Sequence, residues 1–262
     1  MDLQLHGKSA IITGGSGPIG RAVGTVLAQE GVRVTLAART REPLEAAVQE
    51  VAAASKGEVI GLPSDVTDGA SVQRMVDEAV QRFGGVDILV NGAVPRVRSG
   101  PESAAAFPSE QQFRAELDVK VLGYLRCVQA VTPHMKARGW GRIVNLSGLN
   151  ARNANATLGA MRNVSVVAMT KNLADELGPD GINVTVVHPG GVLTDRTVER
   201  ASQAGMSLEE FSAAAGKDNA IRRMVTAEEV AWVVAFLCSP RSVAITGDVV
   251  TVSGGAGRAI YY

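Results

Sequence analysis

The sequence predicts an α/β fold, a doubly wound (Rossmann) three-layer αβα arrangement around a seven-stranded parallel sheet. Three observations predict it. Short apolar runs alternate with helical patterns along all 262 residues, and such alternation demands a parallel sheet covered on both faces. A glycine-rich turn, SAIITGGSGPIG over residues 9–20, joins the first apolar run to the first helix. No Pro/Gly/Ser linker, internal repeat or low-complexity tract breaks the pattern, so the chain reads as one domain over 1–262.

The elements follow in order. The first strand covers 10–13 and the first helix 18–30, with Gly31 as its stop. A strand at 33–37 precedes a helix at 41–54. A strand at 59–62 precedes a helix at 70–83. The fourth strand, 87–90, opens into a loop rich in Pro and Arg at 94–108. A long helix spans about 110–137 and is expected to bend near Pro133. The fifth strand is 142–146, followed by a helix at 157–177 and a strand at 183–187. Residues 190–224 are irregular with helical pieces, and a helix at 227–238 and a strand at 249–252 complete the chain. Right-handed crossovers then place ligands at the carboxyl ends of the strands.

Composition narrows the function classes. Apolar residues make up 46% and charged residues 20%, the balance of an ordinary globular protein. The formal net charge is zero, which argues against nucleic acid or an anionic membrane surface as a partner. The longest near-apolar run, 230–238, is too short to span a bilayer. The start, MDLQLHGKSA, lacks a basic segment followed by an apolar one, so no signal peptide is expected. Cys127 and Cys238 both fall in predicted helices and read as free buried thiols of a cytoplasmic protein. No metal site is expected.

The glycine turn is a cradle for a pyrophosphate. Its glycines let the backbone approach the anion, and the amides of the first helical turn point at it. After strand two the chain reads Ala37-Ala38-Arg39-Thr40-Arg41. A carboxylate there would accept the ribose hydroxyls of NAD. None is present, and Arg39 can fork onto a 2′-phosphate while Arg41 adds charge, which favours NADP(H) over NAD(H).

These motifs resemble the short-chain dehydrogenase/reductase family over nearly the whole chain. Thr13–Gly20, TGGSGPIG, looks like its Thr-Gly-x-x-x-Gly-x-Gly, with Gly14, Ser16, Gly17, Ile19 and Gly20 at the cofactor. Ser64-Asp65-Val66 looks like its adenine-side Asp-Val, and Asn91-Gly92-Ala93 like its Asn-Asn-Ala-Gly. Pro189-Gly190 with Val192 and Thr194 looks like its Pro-Gly-x-x-x-Thr, which holds the nicotinamide amide. Ile245-Thr246-Gly247 and Ser253-Gly254-Gly255 resemble its C-terminal pattern. The resemblance implies NADP(H) as cofactor, a small-molecule substrate, and assembly into homo-oligomers or with another family member. The helices at 110–137 and 157–177 would make that contact.

The departures bear on chemistry. The family's proton relay is an Asn, a Ser and a Tyr-x-x-x-Lys pair on one helix face. Here Lys120 stands at the Asn position, Gly148 at Ser, Met161 at Tyr and Ser165 at Lys. Methionine donates no proton. Lys171 lies about 240° round the helix from Ser165 and about 9 Å further along. Tyr124 sits one turn beyond Lys120 on another helix. Pro18 replaces the family's second glycine and removes one amide donor from the cradle.

Lys120, Ser147 and Arg162 are the candidate catalytic groups, with Asn163 as a candidate for orienting a ligand. Each also has a structural reading: Lys120 as a solvated or interface lysine, Ser147 as a turn residue, Arg162 as an ion-pair partner between helices. Arg96, Arg98 and Arg152, with Lys120 and Arg162, would form a basic mouth suited to an acidic substrate or an acyl-CoA. Residues 195–225 sit where the family carries a substrate lid, and Ser207-Leu208-Glu209-Glu210 reads as a helix-starting capping box. Three classes remain open: an oxidoreductase with an atypical proton source, a catalytically silent subunit pairing with an active relative, and a module that reads NADP(H) without chemistry.

Overall fold

The computed structural model describes residues 1–95, 108–154 and 156–257. Seven parallel strands form one sheet in the order β3-β2-β1-β4-β5-β6-β7. They are β1 (Ser9–Thr13), β2 (Arg33–Ala38), β3 (Val59–Pro63), β4 (Ile88–Asn91), β5 (Gly141–Leu146), β6 (Ile182–Pro189) and β7 (Val249–Val252). Every residue of β1, β4 and β5 is buried. That is why these strands read as continuous apolar runs and not as alternating ones.

Two apolar layers flank the sheet. On one face α1 (Pro18–Gln29) packs between α2 (Arg41–Ser55) and α9 (Ala227–Cys238). Leu27, Leu44, Val51 and Val234 fill that layer. On the other face α3 (Gly69–Phe83) packs beside α5 (Gly123–Arg138). Met75, Val128, Met135 and Leu177 fill that one, the last from α6 (Thr157–Leu177). Cys127 and Cys238 are buried and free, and burial pushes both thiols up to about 12. No helix among the described residues is long and apolar enough to cross a membrane.

The strand order reverses between β1 and β4, which opens a crevice at their carboxyl ends. Thr13 ties the two ends together. Its Oγ1 accepts from the Gly92 amide at 3.1 Å and the Ala93 amide at 3.3 Å.

The long helix expected at 110–137 differs in detail. It consists of α4 (Glu110–Leu117), a wide π-helical turn over Asp118–Leu122, and α5. The irregularity lies at Lys120, and α5 runs through Pro133. The wide turn carries Lys120 inward, where its ammonium reaches the end of β5. Such turns inside α-helices concentrate at functional sites.

The segment after β6 holds α7 (Asp195–Gln203) and α8 (Leu208–Ala215). The capping box at Ser207 is present: its Oγ accepts from the Glu210 amide, and the Glu210 carboxylate accepts from the Ser207 amide. A bridge between Val192 and Val225 closes the base of this segment.

Candidate functional site

A cleft of about 480 Å³ lies over the carboxyl ends of β1, β2 and β4. The glycine turn forms one wall. Gly14 has a φ of +69°, and a Cβ there would lie 2.5 Å from the Gly92 carbonyl oxygen. A Cβ on Gly20 would lie 2.4 Å from the Gly14 oxygen. Glycine is therefore demanded at both positions by close backbone approach. Pro18 opens α1, and Gly17 caps it without a side chain. The amide of Arg21 donates to Gly17 at 2.9 Å. The amides of Ile19 and Gly20 keep no helical acceptor. With no acidic residue in the first turn of α1, this end suits an anion. The cradle thus fits the pyrophosphate of a dinucleotide even with proline at its centre.

Twelve of the fifteen residues expected at a cofactor line the cleft: Gly14, Ser16, Gly17, Ile19, Gly20, Arg39, Asp65, Val66, Gly92, Ala93, Pro189 and Thr194. Asn91, Gly190 and Val192 do not. Asn91 is fully buried, and its amide donates to Asn145 Oδ1 at 3.0 Å, because β4 and β5 are paired at that register. Gly190 packs against Ser253, which a Cβ would approach to 2.8 Å. Val192 pairs with Val225 at the base of the α7 segment. Arg41 turns away as well, toward Glu45 on the next turn of α2.

Asp65 is braced from its own loop. Burial works to raise its carboxyl pKa, but the amide and hydroxyl of Thr67, with the charges of Arg39 and Arg126, hold it below the usual carboxylate value.

The four residues expected at the relay positions lie apart. Lys120 is 2% exposed, and its Nζ donates to the Ser147 carbonyl at 3.1 Å. Burial lowers its pKa to about 8. Gly148 accepts from the Asn163 amide at 3.5 Å. Met161 is 47% exposed. Ser165 turns its hydroxyl back to the Met161 carbonyl at 2.9 Å. Ser147 lines the cleft and donates its hydroxyl to the Asn163 carbonyl at 3.1 Å.

Arg162, a candidate catalytic group, instead pairs with Glu116 across α4 and α6, with both side chains largely covered. A long side chain on that face of α6 meets the acidic face of α4 before it reaches the cleft. Lys171 pairs with Asp175 at 2.6 Å, one turn further along α6. Of the expected basic mouth, Arg96 and Arg98 lie outside the described residues. Arg152 donates to Thr251 at 3.0 Å.

Sequence reasoning passed over two groups. Arg196, in the first turn of α7, lines the cleft beside Thr194. The signal was its position two residues past the threonine of the Pro-Gly motif. His188 is 1% exposed with no partner at Nδ1. Burial first, then the charges of Arg152 and Lys120, lower its pKa to about 4. Tyr124, set aside as lying on another helix, donates its hydroxyl to the Leu146 carbonyl at 3.0 Å, next to the Lys120 contact.

Comparison with known proteins agrees with this architecture. The family model described as Enoyl-(Acyl carrier protein) reductase matches residues 15–257. Short-chain reductase protein NovJ of Streptomyces niveus is 36% identical over 248 residues, covering 94% of this chain and 92% of its own. The 3-oxoacyl-(acyl-carrier-protein) reductase FabG of Staphylococcus epidermidis is 33% identical, over 95% of this chain and 98% of its own. L-sorbose reductase of Gluconobacter frateurii, solved with NADPH and L-sorbose, superposes with a TM-score of 0.89. It is 27% identical, over 99% of this chain and 100% of that one. An NAD+-bound xylitol dehydrogenase gives a TM-score of 0.85 at 28% identity, over 96% of this chain and 100% of that one. By the matched span and by relatives along nearly its whole length, the chain belongs to the short-chain dehydrogenase/reductase family of oxidoreductases.

Proposed function

We propose that the chain is a single-domain NADP(H)-binding oxidoreductase acting on a small carbonyl, alcohol or acyl substrate, with a proton source other than tyrosine. The observation that carries this reading is the open anion cradle at Gly17–Gly20 in a cleft that also holds Arg39. Solved relatives carry NADPH or NAD+, which supports a nicotinamide cofactor. Arg39, with no acid at the end of β2, supports the phosphorylated form.

The bound cofactor supplies the hydride. Gly14, Ser16, Gly17, Ile19 and Gly20 hold its diphosphate. Asp65 and Val66 hold the adenine side, Arg39 the 2′-phosphate, Gly92 and Ala93 the ribose edge, and Pro189 and Thr194 the carboxamide. Asn91, Gly190 and Val192 act one layer back by fixing the strand ends. Ser147 positions the substrate oxygen. Lys120 stores a proton on Nζ, and burial brings that group near the working range of a general acid. Water reaching Ser147 is the other proton source in this reading. An acidic or acyl-CoA substrate suits a cleft lined by Arg39 and Arg196, with Lys120 behind the Ser147 carbonyl.

A second reading has its own observation. Among the described residues lining the cleft there is no Tyr, Lys, His, Cys or Glu. That favours a silent subunit paired with an active relative, or a homo-oligomer that binds without turnover. The exposed apolar side chains of Leu122, Met161 and Val164 supply a surface on the expected helices.

Turnover separates the two. NADPH oxidation is followed against carbonyl compounds carrying a carboxylate or thioester, for the wild type and for Lys120→Met. Turnover that falls at least tenfold in Lys120→Met supports the enzyme. Tight NADPH binding with no turnover, restored by adding a relay-complete relative, supports the silent subunit.

A further inference from the structure

Pro18 leaves the pyrophosphate cradle one amide short, and the chain offers a replacement from the opposite wall. The first turn of α7 is held against the glycine turn by Arg21. One nitrogen of Arg21 donates to the Ser16 carbonyl at 3.1 Å, and another to the Asp195 carboxylate at 3.0 Å. Its Nε faces Glu50 of α2 at 3.1 Å. Thr194 and Thr197 fix the start of α7 through a capping box. Adjacent residues then face different ways. Asp195 lines an outer groove with Arg21 and Glu50, whereas Arg196 lines the cleft with Gly17, Pro18 and Ile19.

We propose that Arg196 binds the diphosphate of the dinucleotide, in place of the amide lost to Pro18, and that Arg21 and Asp195 are the residues that position it. This rests on the reading of the cleft as a dinucleotide site. The chemistry matches. A guanidinium presents a planar fork of N–H donors to phosphate oxygens and keeps its charge at any working pH. Arg39 and Arg196 are the two cationic side chains among the described cleft residues. One sits at the end of β2 and the other at the start of α7, so they serve different phosphates. Arg39 discriminates NADPH from NADH. Arg196 acts on the group that both share.

The test uses calorimetric titration of the full chain with NADPH, NADH and adenosine 2′-monophosphate, which has the 2′-phosphate but neither phosphate of the diphosphate. Arg196 is exposed, so Arg196→Ala keeps the fold, checked by an unchanged thermal midpoint. The expected result is a loss of about ten- to a hundredfold in affinity for both NADPH and NADH, with the 2′-monophosphate within twofold of wild type. Arg196→Lys recovers part of the loss. Asp195→Asn weakens NADPH and NADH by a smaller, equal factor. Arg196→Ala that binds NADPH as the wild type does, or that loses the 2′-monophosphate equally, overturns the assignment while leaving the cofactor site standing. A wild-type chain that binds neither dinucleotide overturns the cofactor reading and this inference together.

Discussion

Lys120 Nζ donates to the Ser147 carbonyl oxygen at 3.1 Å, and no carboxylate among the described residues pairs with it. One turn on, Tyr124 donates to the adjoining Leu146 carbonyl at 3.0 Å. The two side chains stand four residues apart on one helical face and hold successive carbonyls at the end of β5. Ser147, the residue so held, lines the cleft.

A buried lysine with a depressed pKa makes stability depend on pH. The unfolded chain binds this proton up to the ordinary lysine value of 10.5, whereas the folded chain releases it near 8. Between those values the unfolded state carries more protons, so this contribution to stability rises with pH. It is absent below about pH 8 and complete above about 10.5, with a limit of about 3 kcal/mol. The difference in unfolding free energy between wild type and Lys120→Met, measured from pH 7 to 10.5, isolates it. A constant difference would place the Lys120 ammonium in solvent.

His188 gives a second slope at the acid end. Burial and the charges of Arg152 and Lys120 lower its pKa from 6.5 to about 4. The unfolded chain therefore takes up a proton that the folded chain refuses as pH falls from 6.5 to 4. Stability drops through that window, by about 3 kcal/mol at most. His188→Gln removes this part of the acid slope. At neutral pH the ring is uncharged, so ring titration near pH 7 in proton NMR would contradict the assignment.

The Arg162–Glu116 pair braces α4 against α6. Breaking a partly buried pair from one side leaves a covered charge alone. Arg162→Met and Glu116→Gln each lower stability by about 1–3 kcal/mol. The double variant is less unstable than the sum, and NADPH affinity is unchanged in all three. Equal loss of affinity and stability would return Arg162 to the site.

Substitution tests whether the residues expected at the relay positions face the reacting atoms. A Cβ on Gly148 would approach Asn163 Nδ2 to 3.1 Å, a contact that the side-chain amide relieves by rotating. Met161 is exposed and Ser165 half-buried, and neither lines the cleft, whereas the α6 side chain that meets Gly148 is the buried Asn163. Gly148→Ser with Met161→Tyr and Ser165→Lys therefore gains no NADPH-dependent reduction of simple carbonyl compounds, read as absorbance loss at the reduced nicotinamide. A gain in a variant that binds NADPH would mean that the side chains at 161 and 165 reach the reacting atoms.

The glycine turn, the strands and the order of helices were legible because each follows from local rules. Gly14 and Gly20 are dictated by backbone contact distances, and β1, β4 and β5 by burial on both faces. The side-chain roles were less so. Asn91 belongs to a motif yet spends its amide on Asn145, a residue 54 positions away. The wide turn at Asp118–Leu122 leaves no mark in helical periodicity, and without it Lys120 reads as a surface lysine. Arg162 and Arg196 look alike in sequence. One meets Glu116 and the other the cleft, a difference made by which helix stands opposite.

Discrimination at the 2′-phosphate depends on Arg39. Arg39→Ala lowers the preference for NADPH over NADH by about tenfold and leaves NADH binding within twofold, in a titration of both. A preference that survives the substitution would transfer the 2′-phosphate to another cation.

The central claim is that the cleft beneath Pro18 holds a phosphorylated nicotinamide dinucleotide. Calorimetric titration of the wild-type chain with NADPH and NADH measures it most directly. The account predicts binding of one NADPH per chain at micromolar concentration, with NADH weaker. Absence of binding by both would contradict it, and would leave the chain a member of the family that has lost its cofactor.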